Sequence, residues 1–215
     1  MNLKNLFILF FVVGVSFTGF SQKINQLDAN GKKTGFWKKL YTNGNVRYEG
    51  QFLADKEVGV FKFYNEDEKQ PAIVKTYDAL TNKAKVVYYQ ENGLQKSVGE
   101  MDGKNRIGIW LYYYPDGKTL LIEEQYKNGM LEGTFKSYFK NGKPSELLLY
   151  KNGKLNGVIK RYADNGVLLE DLTYTDGKLN GKANYFSLSG ELISSGTYEN
   201  DHKIGEWKNN SVEAK

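Results

Sequence analysis

Few side chains in this sequence could do covalent or acid–base chemistry. There is no Cys, which removes disulfides, thiolate metal sites and a cysteine nucleophile. The single His, His202, falls beside Asp201 and Lys203 in a terminal turn. One His builds no zinc cluster, and a Ser-His-Asp triad is hard to place around it. Glu66-Asp67-Glu68 and Glu123-Glu124 could hold a cation or act as a carboxylate pair, but neither has calcium-loop spacing. Ser189, Ser194 and Ser195 lie in no nucleophile-elbow context. The Asn-Gly-Lys-Leu-Asn-Gly segment at 152–157 spaces its glycines for turns, not for a phosphate cradle. The expectation is a non-enzyme with no cofactor and no metal.

The elements that carry these residues recur with a period. Gly stands at 35, 59, 108, 133, 157, 181 and 205, with Ala84 in the missing place, so each unit is 24 or 25 residues long. A period in this range marks a stacked repeat architecture. Two residues after the Gly comes Trp37, Phe61, Val86, Trp110, Phe135, Ile159, Ala183 or Trp207. Five after it comes Leu40, Tyr64, Tyr89, Tyr113, Tyr138, Tyr162 or Phe186. Asn-Gly or Asp-Gly follows, as at Asn43-Gly44 and Asn141-Gly142, and a second run closes on Phe52, Tyr77, Met101, Tyr126, Tyr150, Tyr174 or Tyr198. Two aromatic, β-branched runs joined by Asn-Gly read as a hairpin, because those residues accept the positive φ of tight turns. The chain is therefore expected to be all-β, an elongated array of antiparallel hairpins forming a twisted single-layer sheet. The slots two and five after the Gly have opposite strand parity, so either both faces are aromatic or a bulge intervenes.

Domain limits follow from the same pattern. Leu6 to Val15 is an apolar run behind Lys4, with a small-residue exit at Gly19-Phe20-Ser21. It reads as a secretory signal peptide over 1–21, too short for a membrane span. A cap is expected over 22–34, repeats over 35–204 starting at 35, 59, 84, 108, 133, 157 and 181, and a truncated repeat over 205–215. In the unit at 59–83, the stretch Asn65–Pro71 replaces the Asn-Gly turn, which predicts a wider loop. Export of a chain without Cys points to a bacterial envelope, periplasmic or extracellular. The net charge of +5 is unevenly spread, with five Lys against one Glu over 133–156 but an acidic excess over 108–132. Such alternation argues against a continuous basic stripe for nucleic acid.

Tyr48-Glu49-Gly50-Gln51-Phe52 resembles the Tyr-Glu-Gly-x-aromatic core of MORN repeats, and the full unit is similar to the bacterial variant of that repeat. Gly196-Thr197-Tyr198 and Gly99-Glu100-Met101 are weaker echoes. The resemblance covers about 35–208. It implies a hairpin scaffold, membrane-surface association from the family's name, and an antitoxin-like role from some bacterial relatives.

Slots that vary between units are where specificity could reside. Four residues after the Gly the series runs Lys39, Phe63, Tyr88, Tyr112, Ser137, Arg161, Tyr185, and six after it includes Tyr114 and Phe139. Tyr88, Tyr112, Tyr114 and Phe139 are the candidate partner-binding residues, since exposed Tyr-rich surface gives contact area at low entropic cost. An unknown protein partner is the first expectation, with a membrane surface or a glycan as alternatives.

Overall fold

The computed structural model describes residues 23–210, so the signal-peptide segment lies outside the described residues. The chain enters through a short β1 (Gln26–Leu27), then β2 (Lys33–Leu40), β3 (Val46–Leu53), β4 (Lys56–Phe63), β5 (Ile73–Tyr77), β6 (Lys83–Tyr89), β7 (Gln95–Asp102), β8 (Asn105–Tyr113) and β9 (Leu120–Lys127). It continues through β10 (Met130–Tyr138), β11 (Pro144–Lys151), a short β12 (Lys154–Leu155), β13 (Gly157–Tyr162), β14 (Leu168–Thr175), β15 (Lys178–Phe186), β16 (Leu192–Glu199) and β17 (His202–Asn209). Sequential strands pair antiparallel, with β11 reaching both β12 and β13, so the described chain is one meandering sheet. The all-β hairpin array expected from the repeat is what the chain builds.

The two kinds of connection use different turn chemistry. At Asn43-Gly44 only the Gly has positive φ, 87°. The Gly44 amide donates to Tyr41 O at 3.1 Å, the Tyr41 amide donates to Asn45 O at 2.8 Å, and Asn43 Oδ1 accepts from the Asn45 amide at 2.9 Å. This is the three-residue loop of a type I turn closed by a glycine bulge. At Asn128-Gly129, Asn152-Gly153 and Asp176-Gly177 both residues have positive φ, as a two-residue type I′ turn demands. Ala54-Asp55 takes the same left-handed pair, with φ of 50° and 68°, although Ala is poorly suited to it. Ala54→Asn, the residue found at this place as Asn128, Asn152 and Asn200, should raise unfolding stability by about 1 kcal/mol. A denaturant midpoint that does not rise would contradict this.

The periodic Gly marks a bulge. Glu49 pairs with Lys62 and Gln51 with Val58, so Gly59, Val60 and Phe61 together face Gly50. Gly59 has φ of 65°, a value that L side chains resist. The unit at 59–83 behaves differently. Its Asn-Gly turn is replaced by the wider loop between β4 and β5, and the ladder from β4 through β5 to β6 runs without a shift. With no bulge to make, the slot needs no positive φ, and Ala84 occupies it.

Both terms of the parity question hold: six ladders shift register between slots four and five, and aromatic side chains still occupy both faces. Residues two and four after the Gly share one face, the packed face, where Trp110, Phe61, Ile159 and Val86 are fully buried. Residues three and five share the other. The Tyr64 hydroxyl donates there to Glu49 at 2.9 Å, and Glu49 also pairs with Lys38 at 3.2 Å.

Candidate interaction surface

Along the packed face, the core row balances large side chains against small ones. Gly50, Gly99 and Gly196 lie directly under the rings of Phe61, Trp110 and Trp207, and a Cβ at any of the three would overlap the ring above it. Elsewhere the equivalent pairs are Leu148 with Ile159 and Leu172 with Ala183, which form one continuous buried cluster. Interiors are close-packed, so the two members of each pair must share a fixed volume. The Gly of the Tyr-Glu-Gly segment is thus a packing requirement set by the next repeat.

Every Trp also carries a cation four residues before it. Lys33 Nζ sits 4.9 Å from the Trp37 ring centre, the Arg106 guanidinium 4.4 Å from Trp110, and Lys203 Nζ 4.0 Å from Trp207. In three units whose core residue is not Trp, the same lid slot holds Leu131, Leu155 and Leu179. The cations are cation–π covers that also shield the ring through their methylene stems.

Around Arg106 the lid becomes a polar cluster. Arg106 Nη1 donates to the Tyr112 hydroxyl at 2.6 Å and to the Tyr126 hydroxyl at 3.2 Å, and lies 3.9 Å from Glu124 Oε2. Tyr126 in turn donates to Glu124 at 2.9 Å. Glu124 therefore fills a core slot that holds Gly or Leu in most other units. Burial, then the neighbouring Glu124 carboxylate, pushes the Tyr112 phenol well above its ordinary range. Glu123 and Glu124, candidates for a carboxylate pair, instead serve opposite faces, since Glu123 bonds Lys136 at 2.9 Å. Among the described residues, no three His, Asp or Glu side chains gather as a metal-binding set.

The four sequence candidates fall on this packed face, toward the Asn-Gly turns. Tyr88 packs on Trp110 with ring centres 6.1 Å apart, and Tyr112 joins the same cluster. Tyr114 donates to Tyr138 O at 2.8 Å, repeating the bond of Tyr41 to Tyr64 O at 2.7 Å in an earlier repeat. Phe139 opens the next turn, its amide donating to Lys143 O. All four are half-buried. Tyr88 and Tyr112 belong to, and Tyr114 and Phe139 lie on the turn side of, a single register row, Tyr48–Phe63–Ile73–Tyr88–Ser97–Tyr112–Ile122, that is mostly aromatic and apolar. Beyond it the row turns polar through Ser137, Glu146, Arg161 and Glu170, and Arg161 bridges both acids at 2.9 and 2.7 Å. Sequence reasoning misses Arg106 and the other lid cations, and it reads Glu124 only as half of a carboxylate pair. The spacing of a basic residue four before each of the three Trp is the available signal.

The repeat register agrees with comparison to known families. A model of the MORN repeat variant matches three consecutive units, at residues 106–128, 131–152 and 155–176. Residues 106–176 carry three variant MORN repeats. Each matched unit spans one hairpin around its Asn-Gly or Asp-Gly turn, the same hairpins that β8–β9, β10–β11 and β13–β14 form. No curated protein matches the chain.

The opposite face of the array has another character. Its central register row crosses the strands as Lys38–Glu49–Lys62–Val74–Val87–Val98–Leu111–Glu123–Lys136–Leu147–Lys160–Asp171–Asn184–Ser195–Lys208. Tyr64, Tyr89, Tyr113, Tyr138 and Tyr162 flank it on the turn side, and Val60 and Ile109 stand exposed on the other. Nothing in the described chain covers its four apolar central residues from above.

Proposed function

We propose that this MORN chain is an exported, non-catalytic scaffold that receives a protein partner on the aromatic half of its packed face. The observation that carries the reading is the change along one register row. Apart from Ser97 it is aromatic and apolar from Tyr48 to Ile122, then closed by its own ion pairs from Glu146 to Glu170. A surface whose charges are already paired offers little to a partner, whereas half-buried aromatic side chains suit an interface centre. Tyr88, Tyr112, Tyr114 and Phe139 are the residues assigned to that contact, and an antitoxin- or immunity-like pairing is one special case of it. The apolar segment Leu6–Val15 supports export to the bacterial envelope.

The alternatives have less support from the geometry. Four of the five lysines of the basic unit divide between two edges, with Lys140 and Lys143 at one end of β11 and Lys151 and Lys154 at the other, about 25 Å away, while Lys136 is paired with Glu123 in mid-strand. No single edge collects them against a lipid surface. Sugar stacking needs free ring faces, and the three indoles are covered by cations or buried.

The test is crosslinked capture of the tagged chain from the envelope of its own cell, compared with Tyr88→Ser/Tyr112→Ser. Ser137 already stands at that slot, so the variant should keep its β-type circular dichroism and lose at least about tenfold in recovered partner. Capture that is unchanged, or enrichment of lipid or glycan alone, overturns the reading.

A further inference from the structure

We propose that two copies of the chain pair face to face through the second face, on a two-fold axis running along the strands between Val87 and Val98. This uses the side of the sheet opposite the partner site and stands independently of it. Rotation about such an axis sends each position of the central row to its mirror position on the second copy. Val87 then meets Val98, Val74 meets Leu111, Lys62 meets Glu123 and Glu49 meets Lys136, each time on the other copy. Four apolar contacts per copy are closed on both sides by opposite charges.

The charges fit more closely than pairwise matching requires. Among the described residues Lys62 makes no ion pair, although it lies across from Glu49, which binds Lys38. Glu123 binds Lys136 within its own copy at 2.9 Å. Bringing the faces together makes a closed alternating quartet of Lys62 and Glu49 from one copy with Glu123 and Lys136 from the other. The two-fold generates it twice.

Other placements fail on the same row. An axis running across the strands sets Lys62 on Lys62 and Glu123 on Glu123. Moving the axis by half a strand, onto Val87 or Val98, opposes Glu49 to Glu123 or Lys62 to Lys136. Moving it a full strand spacing sets charged residues on Val. Only one centre is self-complementary, which is what an isologous interface requires. The axis also leaves the strands of the two sheets aligned, the common mode for stacked sheets.

The size is adequate. From β3 to β10 the matched row spans eight strands, about 34 Å at ordinary strand spacing, and the strands are about 25 Å long. That footprint is on the order of 800 Å² per copy, as a standard interface buries.

The experiment is sedimentation equilibrium of the chain isolated from its producing cell, with Lys62→Glu and Glu123→Lys as separate variants. The unaltered chain is expected to be a dimer. Each variant places like charges opposite one another twice and should weaken self-association by at least about tenfold. Mixed together, the two should associate as well as the unaltered chain. In the mixed dimer the two reversed charges meet each other, and the Lys62 and Glu123 left in place meet each other too. A merely misfolded variant would not be rescued by its partner. A monomeric unaltered chain, dimeric single variants, or a mixture that fails to associate would each overturn the proposal.

Discussion

Gly99→Leu is expected to cost about 3 kcal/mol or more of unfolding stability, at the top of the usual range for core overpacking or beyond it. Gly99 is buried, its Cβ position overlaps the Trp110 indole, and that indole is fully buried with its Nε1 held by Glu100 O at 3.0 Å. The ring therefore has nowhere to retreat. Trp110→Ile alone should cost a comparable amount for the opposite reason, since it leaves an unfilled volume over a glycine. Combining the two recreates the pair that Leu148 and Ile159 make two repeats later. The double variant should recover most of the loss, with a coupling energy of about 2–3 kcal/mol between neighbours. Guanidinium unfolding followed by far-ultraviolet circular dichroism measures all three. Additive losses would mean that the glycine serves the local backbone, not the ring above it.

That swap shows why some of the molecule is legible in the sequence and some is not. The hairpins follow from local chemistry: Asn-Gly pairs, aromatic runs and a fixed period need no knowledge of neighbours. The wider loop at Asn65–Pro71 is legible for the same reason, because its turn residues are missing. The identical dipeptide nevertheless serves two turns, and only the ladder on either side distinguishes Asn43-Gly44 from Asn128-Gly129. Parity along one strand also leaves the aromatic slots undecided, since the bulge at Gly59 lies in the pairing and not in the strand's own alternation. The Arg106 cluster is harder still. Its members come from two strands, and it holds a carboxylate in a slot that most other repeats fill with Gly or Leu. Comparing repeats slot by slot exposes Tyr88 and Tyr112 as variable, but it does not reveal that Glu124 is bonded to Tyr126 and lies within reach of Arg106. The two-fold complementarity of the second face needs the full register and is invisible to any single repeat.

The many half-buried phenols give the array an expected weakness in alkali. Burial raises the pKa of Tyr64, Tyr77, Tyr112, Tyr126, Tyr150, Tyr174 and Tyr185, with nearby carboxylates adding to it for most of them. For Tyr64 the value reaches about 12, through burial first and then its bond to Glu49. An unfolded phenol ionises near about 10. Below that pH both states keep the proton and the stabilisation is complete. Between about 10 and 12 the unfolded chain releases protons that the fold retains, so stability falls as pH rises. Lys136, raised by Glu123, contributes in the same direction. The denaturant midpoint should hold steady through neutral pH and drop steeply above about 10. Tyrosinate absorbance should show the raised phenols ionising together with unfolding. Glu49→Gln removes the carboxylate that Tyr64 bonds and should lower its titration, leaving Tyr112 and Tyr126 to ionise with unfolding. If every phenol titrated near about 10 while the sheet stayed folded, the half-buried tyrosines would be solvated surface, and the packed face would not be the closed layer on which the partner site depends.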